Sequence, residues 1–226
     1  MPDKGAETTV KGIVQRLRKL DTSALSDALD RLKLGNTVVN IPQLSGEGRI
    51  AGRIITVKLG TGEGPEGPPR HLCTKAIEAG GADDVIVVEQ RSGADAAGWG
   101  GLLSLAAKLR KIAGVVCDGP VRDVDASKDY GFPVFSRNVT AKTARGRIVE
   151  LGTDVPVFLE TLRVNPGDYL VADKSAVIVI AAPDILPVLQ AAEAIATKED
   201  AMAKALLEGQ PVGKVMGGDY ENMLKS

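Results

Sequence analysis

After a polar opening, Met1 to Thr9, the first periodic pattern begins. Val10, Ile13, Val14, Leu17 and Leu20 recur at helical spacing, which predicts a helix. Asp21, Thr22 and Ser23 supply N-cap chemistry for a second helix carrying Leu25, Ala28, Leu29 and Leu32, with Gly35 as its stop. The two helices have polar outer faces and read as an arm, residues 1–34, packed over a sheet. Small and β-branched residues over 48–59 predict a strand. Residues 60–69, GTGEGPEGPP, suit neither helix nor central strand. They read as a surface loop, with a flap over a site as the alternative. Residues 71–79 predict a helix, and the unbroken apolar run over 84–89 predicts a buried strand.

The stretch 98–123, GWGGLLSLAAKLRKIAGVVCDGPVRD, is the centre of the pattern. Gly98, Gly100 and Gly101 open a helix over 102–111, whose apolar face is Leu102, Leu103, Leu105, Ala106 and Leu109. A short strand over 114–117 follows. Asp118-Gly119-Pro120 predicts a turn, with Arg122 and Asp123 just beyond it. Residues 124–130 predict a short helix ended by Gly131, and 133–136 a strand. Further short strands are expected over 147–151, 155–164, 169–172 and 176–181. Asn165-Pro166-Gly167-Asp168 is a turn signature, so Asp168 and Asp173 read as turn acids. Pro183 suits the start of a last long helix with Ile185, Leu186, Val188, Leu189, Ala192, Ile195 and Ala196 on its apolar face, closed by Gly209. Val212, Val215, Met216, Tyr220 and Met223 make the tail apolar enough to need a surface to pack on. Helix–strand alternation with several late strands gives an α/β chain. It is taken as one domain, 1–226, with residues 183–226 as C-terminal helix and tail.

Composition narrows the function classes. The 226 residues hold 28 basic and 29 acidic side chains, a formal net charge of -1, and only 3% aromatics. Neither a basic stripe nor base-stacking platforms are expected, so no nucleic-acid partner is predicted. Cys73 and Cys117 lack metal-ligand spacing and read as buried thiols of a reducing compartment. With a polar N-terminus and no apolar run long enough to cross a bilayer, the reading is cytoplasmic, with no membrane partner.

Candidate chemistry gathers in the central stretch. The first N–H groups of a helix lack intrahelical partners and carry partial positive charge. Glycines there let an anion approach the backbone. Arg122 leaves the carboxyl end of a strand, where ligands of α/β folds collect, and a guanidinium grips a carboxylate in a fork. Asp123 offers a hard oxygen to Mg2+ or Mn2+. This set suits an α-keto acid. The alternative is that the glycines serve helix packing and Arg122–Asp123 is a surface ion pair. His71, the one histidine, is either a proton carrier or a cap at a helix start. Arg137, Lys142, Arg145 and Arg147 could meet distal acid groups of a substrate or form a solvated loop.

Trp99-Gly-Gly-Leu-Leu, Cys117-Asp-Gly-Pro-Val-Arg-Asp-Val-Asp and Gly131-Phe-Pro-Val-Phe resemble the RraA-like family. That family contains the 4-hydroxy-4-methyl-2-oxoglutarate aldolases and the regulator of ribonuclease activity A. The likeness begins near Ser23-Ala-Leu-Ser-Asp-Ala-Leu, includes Arg70-His-Leu, and extends to Pro166-Gly-Asp-Tyr-Leu-Val-Ala-Asp. It implies a β/β/α swivelling-type sandwich assembled as trimers or hexamers. It also implies that Arg122 holds a pyruvyl carboxylate, that Asp123 binds the divalent metal, and that amides around Gly100, Gly101, Leu102 and Leu103 complete the substrate cradle. The resemblance also implies an acid of the last helix that reaches a neighbouring subunit's site; Glu199, with Asp200 beside it, is the candidate, and the alternative is an exposed helix charge. An acid that aldolases often carry falls here on Gly101, and an alternative acid falls on Ala126. The implied function is a metal-dependent aldolase or decarboxylase that yields pyruvate through its enolate. The alternatives are a ring-shaped, non-catalytic regulator of an enzyme such as a ribonuclease and, last, phosphotransfer through His71.

Overall fold

The computed structural model describes residues 8–35, 38–64, 66 and 70–217. The expected arm is present as α1 (Val10–Leu17) and α2 (Thr22–Arg31). Thr9 caps α1 by accepting from the Gly12 amide, and Asp21 caps α2 by accepting from the Ala24 amide. The strands and helices that follow are β1 (Val38–Val39), β2 (Gln43–Ser45), β3 (Ile50–Gly60), α3 (Thr74–Ala79), β4 (Asp84–Gln90), α4 (Gly101–Leu109), β5 (Val115–Val121), α5 (Val124–Asp129) and β6 (Val134–Val139). Then come β7 (Val149–Thr153), β8 (Val157–Leu159), β9 (Leu162–Val164), β10 (Tyr169–Ala172) and β11 (Val177–Ile180). The last long helix starts later than Pro183 suggests. A 3-10 turn, Ala182–Asp184, precedes α6 (Ile185–Leu207), and the short α7 (Val212–Val215) follows Gly209, whose φ is +83°.

Nine strands of the described residues form one curled sheet in the order β1-β11-β10-β3-β4-β5-β6-β2, with β7 also paired to β3. The pairs β3–β4, β4–β5 and β5–β6 are parallel, as helical crossovers require, and the flanks are antiparallel. Alternate residues then face opposite sides. Ile54, Val85, Val87, Val116 and Leu170 point to one face, where Val157, Leu159 and Val164 of the β8–β9 hairpin complete the core. The other face carries two cores. Ala51, Tyr169, Val171, Ile178 and Ile180 meet α1, α2 and α6. Ile55, Val57, Ile86, Val88, Val115 and Cys117 meet α3, α4 and α5. Hairpin, sheet and helices thus give the β/β/α layering, with the arm packed on α6 and on the sheet.

Two local readings change: residues 155–164, expected as one strand, form the β8–β9 hairpin, and the turn expected at 118–120 is strand. Asp118-Gly119-Pro120 is no turn: β5 continues through it to Val121, with a bulge between Cys117 and Pro120. The bulge rests on Gly119, at φ +152°, where a Cβ would lie 2.2 Å from the Gln90 carbonyl oxygen. A side chain could not be tolerated there, and Ser136 Oγ donates to the Gly119 carbonyl at 2.7 Å. The Asp168 turn stands as expected. Its carboxylate accepts from the amides of Asn165 and Ala182 and ties the turn to the 3-10 turn that leads into α6.

Candidate functional site

The site forms where the loop before α4 runs beside the end of β5. Gly98 N–H donates to the Pro120 carbonyl at 2.8 Å and Arg122 N–H to the Trp99 carbonyl at 3.0 Å, so Trp99 pairs with Val121 as a parallel bridge. The Trp99 ring is buried and stacks on Phe132, with ring centroids 6.2 Å apart. This anchor delivers Gly100 and Gly101 to the start of α4, next to Arg122 and Asp123.

Gly100 is the N-cap of α4 and offers no capping side chain. The Gly101 amide instead donates to Asp123 Oδ2 at 3.2 Å, and Arg122 Nε lies 3.3 Å from the same oxygen. A carboxylate from a neighbouring helix therefore occupies the place of the missing cap. The geometry of α4 leaves the next amides, Leu102 and Leu103, without intrahelical partners. They lie beside a guanidinium and a carboxylate that are 39% and 47% exposed, accessible to a small anion. Asp123 adopts φ +55°, ψ +40°, a left-handed conformation uncommon for a residue with a side chain. It is the N-cap of α5, and this backbone bend turns its carboxylate back onto α4. The glycines are needed for space. A Cβ on Gly100 would lie 3.1 Å from Asp123 Oδ2, and one on Gly101 would lie 3.0 Å from Ala126 Cβ and 3.1 Å from Asp123 Cβ. Gly101 and Ala126 thus pack against each other.

Gly100, Gly101, Leu102, Leu103, Arg122 and Asp123 are brought together as the sequence suggests. Among the described residues no group of three or more His, Cys, Asp or Glu side chains converges to hold a metal. The donor set fits a hard divalent ion all the same, because Mg2+ keeps several waters and needs only one or two carboxylates with substrate oxygens. Asp123 would be that carboxylate.

Other candidates go elsewhere. Glu199 lies on the arm side of α6. There burial first, then the charges of Asp21, Asp27 and Asp200, raise its carboxyl above the ordinary range. His71 sits at the entrance to α3, its Nδ1 3.1 Å from the Leu72 carbonyl oxygen, and its own carbonyl accepts from the Thr74 hydroxyl. Arg137 is committed: Nε donates to the buried Asp118 at 2.7 Å, Nη2 to Glu160 at 2.5 Å and Nη1 to the Asn40 carbonyl. With Arg91 it borders an open cleft of about 810 Å3, also lined by Gln90, Asp95 and Asn138, and Arg122 and Asp123 do not line it. Those cations fasten the β8–β9 hairpin, since Arg91 also donates to the Glu160 carbonyl. Lys142 pairs with Asp95 at 2.7 Å. Burial, and less strongly nearby carboxylates, push the thiols of Cys73 and Cys117 well up, the direction that disfavours a thiolate. Of the loop 60–69, Pro65 and residues 67–69 lie outside the described residues, as do Tyr220 and Met223 of the tail.

Sequence reading missed Ser104 and Ser127. Both are buried, and their hydroxyl oxygens are 2.8 Å apart, behind the site. Each lies four residues after a helix N-cap, Gly100 or Asp123, and that repeated spacing was the available signal.

A family model described as "RraA-like: Aldolase/RraA" matches residues 22–179. A protein of Halalkalibacterium halodurans named "Putative 4-hydroxy-4-methyl-2-oxoglutarate aldolase" is 31% identical over 197 residues, covering 85% of this chain and 88% of that protein. Protein DlpA of Legionella pneumophila is 27% identical over 201 residues; the match takes in 89% of this chain, which spans 32% of DlpA's length. Among solved structures, an uncharacterised protein of Pseudomonas syringae superimposes with a TM-score of 0.79 at 26% identity, covering 92% of this chain and 98% of that one. Streptomyces coelicolor RraAS2, described as an unusual member of the RNase ES inhibitor RraA family, shares the fold, with a TM-score of 0.72 at 22% identity over 88% and 96% of the two chains.

Proposed function

The chain belongs to the RraA-like family, and we propose that it is a divalent-metal-dependent lyase for α-keto acids that yield pyruvate, acting best as a decarboxylase of oxaloacetate-type substrates. The observation that carries this reading is the convergence of the α4 N-terminus, Arg122 and Asp123 on one accessible point, with Gly101 N–H and Arg122 Nε both within 3.3 Å of Asp123 Oδ2. Arg122 binds the carboxylate next to the keto group. The Leu102 and Leu103 amides donate to the oxygens that gain negative charge, where fixed dipoles stabilise it without reorganisation. Asp123 holds Mg2+ or Mn2+, which supplies Lewis-acid polarisation of the keto oxygen when bound.

The reaction then balances simply. The bond between the methylene carbon and the distal carboxylate breaks, CO2 leaves, and the electron pair moves into the pyruvate enolate. A solvent proton returns to the methylene carbon. No base is required. Retro-aldol cleavage differs, because a base must take the proton of the substrate hydroxyl. Gly101 and Ala126 offer none, and their tight packing leaves little room for one. Within this reading the chain assembles as a homotrimer or hexamer, and Glu199 approaches the site of a neighbouring subunit. The half of α6 beyond Ile195, with α7, supports assembly by exposing Leu206, Leu207, Val212 and Met216.

The test is pyruvate release from oxaloacetate with Mg2+ or Mn2+, corrected for decarboxylation by the free ion, and repeated in EDTA. Turnover above that background is expected only with the metal. Turnover at full rate in EDTA would remove the metal. No turnover above background would favour the second reading, a non-catalytic regulator, whose own support is the absence of an acid at Gly101 and Ala126.

A further inference from the structure

Helices α4 and α5 begin in the same way. Ser104 N–H and Oγ lie 3.0 and 3.3 Å from the carbonyl oxygen of the N-cap Gly100. Ser127 N–H and Oγ lie 3.0 and 3.3 Å from the carbonyl oxygen of the N-cap Asp123. The two hydroxyls meet at 2.8 Å, and Trp99 Nε1–H donates to Ser104 Oγ at 2.9 Å. Both serines and the indole are buried, with relative exposures of 0, 1 and 1%. A serine hydroxyl has one proton and two acceptor sites. One direction uses every proton: Trp99 to Ser104, Ser104 to Ser127, and Ser127 to the Asp123 carbonyl. The chain ends on the residue held at φ +55°, a conformation that persists only where its surroundings over-determine it.

We infer that Ser104 and Ser127 are positioning residues: their paired hydroxyls lock the N-cap of α4 to the N-cap of α5 and so set the spacing between the anion-binding amides and the Asp123 carboxylate. Packing alone would not require polar groups at these sites, because buried hydroxyls are costly unless fully bonded. The inference rests on the proposed function for what that spacing serves.

Ser127→Ala is the variant of choice. It leaves Ser104 bonded to Trp99 and Gly100, and the Asp123 carbonyl keeps the Ser127 amide, so no buried group is stranded. Ser104→Ala would strand the indole N–H. The probe is oxalate, a planar dianion shaped like pyruvate enolate, titrated with Mn2+ into the full chain and followed by the emission of Trp99, the only tryptophan. Binding to Ser127→Ala should be about threefold to tenfold weaker, the loss of one hydrogen bond. The kcat for oxaloacetate should fall more than KM rises, the melting temperature should stay within a few degrees, and Ser127→Thr should recover part of both losses. Wild-type oxalate affinity and kcat in Ser127→Ala, with or without a lower melting temperature, would overturn the positioning role alone. A wild-type protein that neither binds Mn2+–oxalate nor releases pyruvate would overturn the proposed function, and this inference with it.

Discussion

Adding one methyl group at Gly100 separates the requirements of the fold from those of the site. Gly100 has φ -156° and ψ 179°, extended backbone open to any residue, so Gly100→Ala introduces no backbone strain. Fewer unfolded conformations should stabilise the variant by about 0.4–1 kcal/mol. Alanine's poor N-cap chemistry costs about 1 kcal/mol in the other direction. The melting temperature should therefore move by no more than about 2–4 °C. The site is affected differently. The new Cβ lies 3.1 Å from Asp123 Oδ2 and 3.4 Å from Arg122 Cγ and Nε, so the carboxylate must retreat. Its bond from the Gly101 amide, already long at 3.2 Å, is the first to be lost. A charge-assisted bond of this kind is worth about 1.5–3 kcal/mol, which corresponds to roughly a tenfold to hundredfold loss of kcat/KM. Pyruvate release from oxaloacetate, measured beside a Trp99-monitored melt, checks both halves. Wild-type kcat/KM in a folded Gly100→Ala protein would refute the idea that the approach of Asp123 to the α4 N-terminus is the working geometry.

Arg122→Ala should weaken oxalate binding by on the order of 2 kcal/mol, and Arg122→Lys should restore only part, because an ammonium cannot form the fork; equal affinity in all three proteins would exclude the carboxylate grip. Asp123→Asn should lower Mn2+ affinity, read by the free-ion EPR signal, and turnover together, with excess Mn2+ recovering some turnover. Unchanged Mn2+ affinity would place the ion elsewhere. Truncation after Gly209 removes exposed Val212 and Met216 with the rest of the tail and should shift the assembly toward smaller species by light scattering, with a parallel drop in activity. A fully active monomer would discard both the assembly and a shared role for Glu199.

Much of this protein is local and could be read along the chain. The helical stripe from Val10 to Leu17, the Asp21 cap, the apolar run of β4 and the Asp168 turn each depend on neighbours a few residues away, and each appears where its pattern lies. The glycine-lined entry to α4 and the placement of Arg122 and Asp123 at the end of a strand were legible for the same reason, since helix N-termini have short signatures. What required the tertiary structure depends on groups distant in sequence. Asp118-Gly119-Pro120 has turn composition, yet β4 and β6 on either side hold it in the sheet as a bulge. Arg137 looked free to meet a substrate until folding placed Asp118 and the β8–β9 hairpin against it. Ser104 and Ser127 are ordinary helix residues in sequence, and only the packing of α4 on α5 turns them into one buried hydrogen-bonded pair. Local chemistry thus determined which groups could act, while the long-range contacts of the sheet and its helices decided which of them meet, because a side chain's partners depend on where the folded backbone brings them.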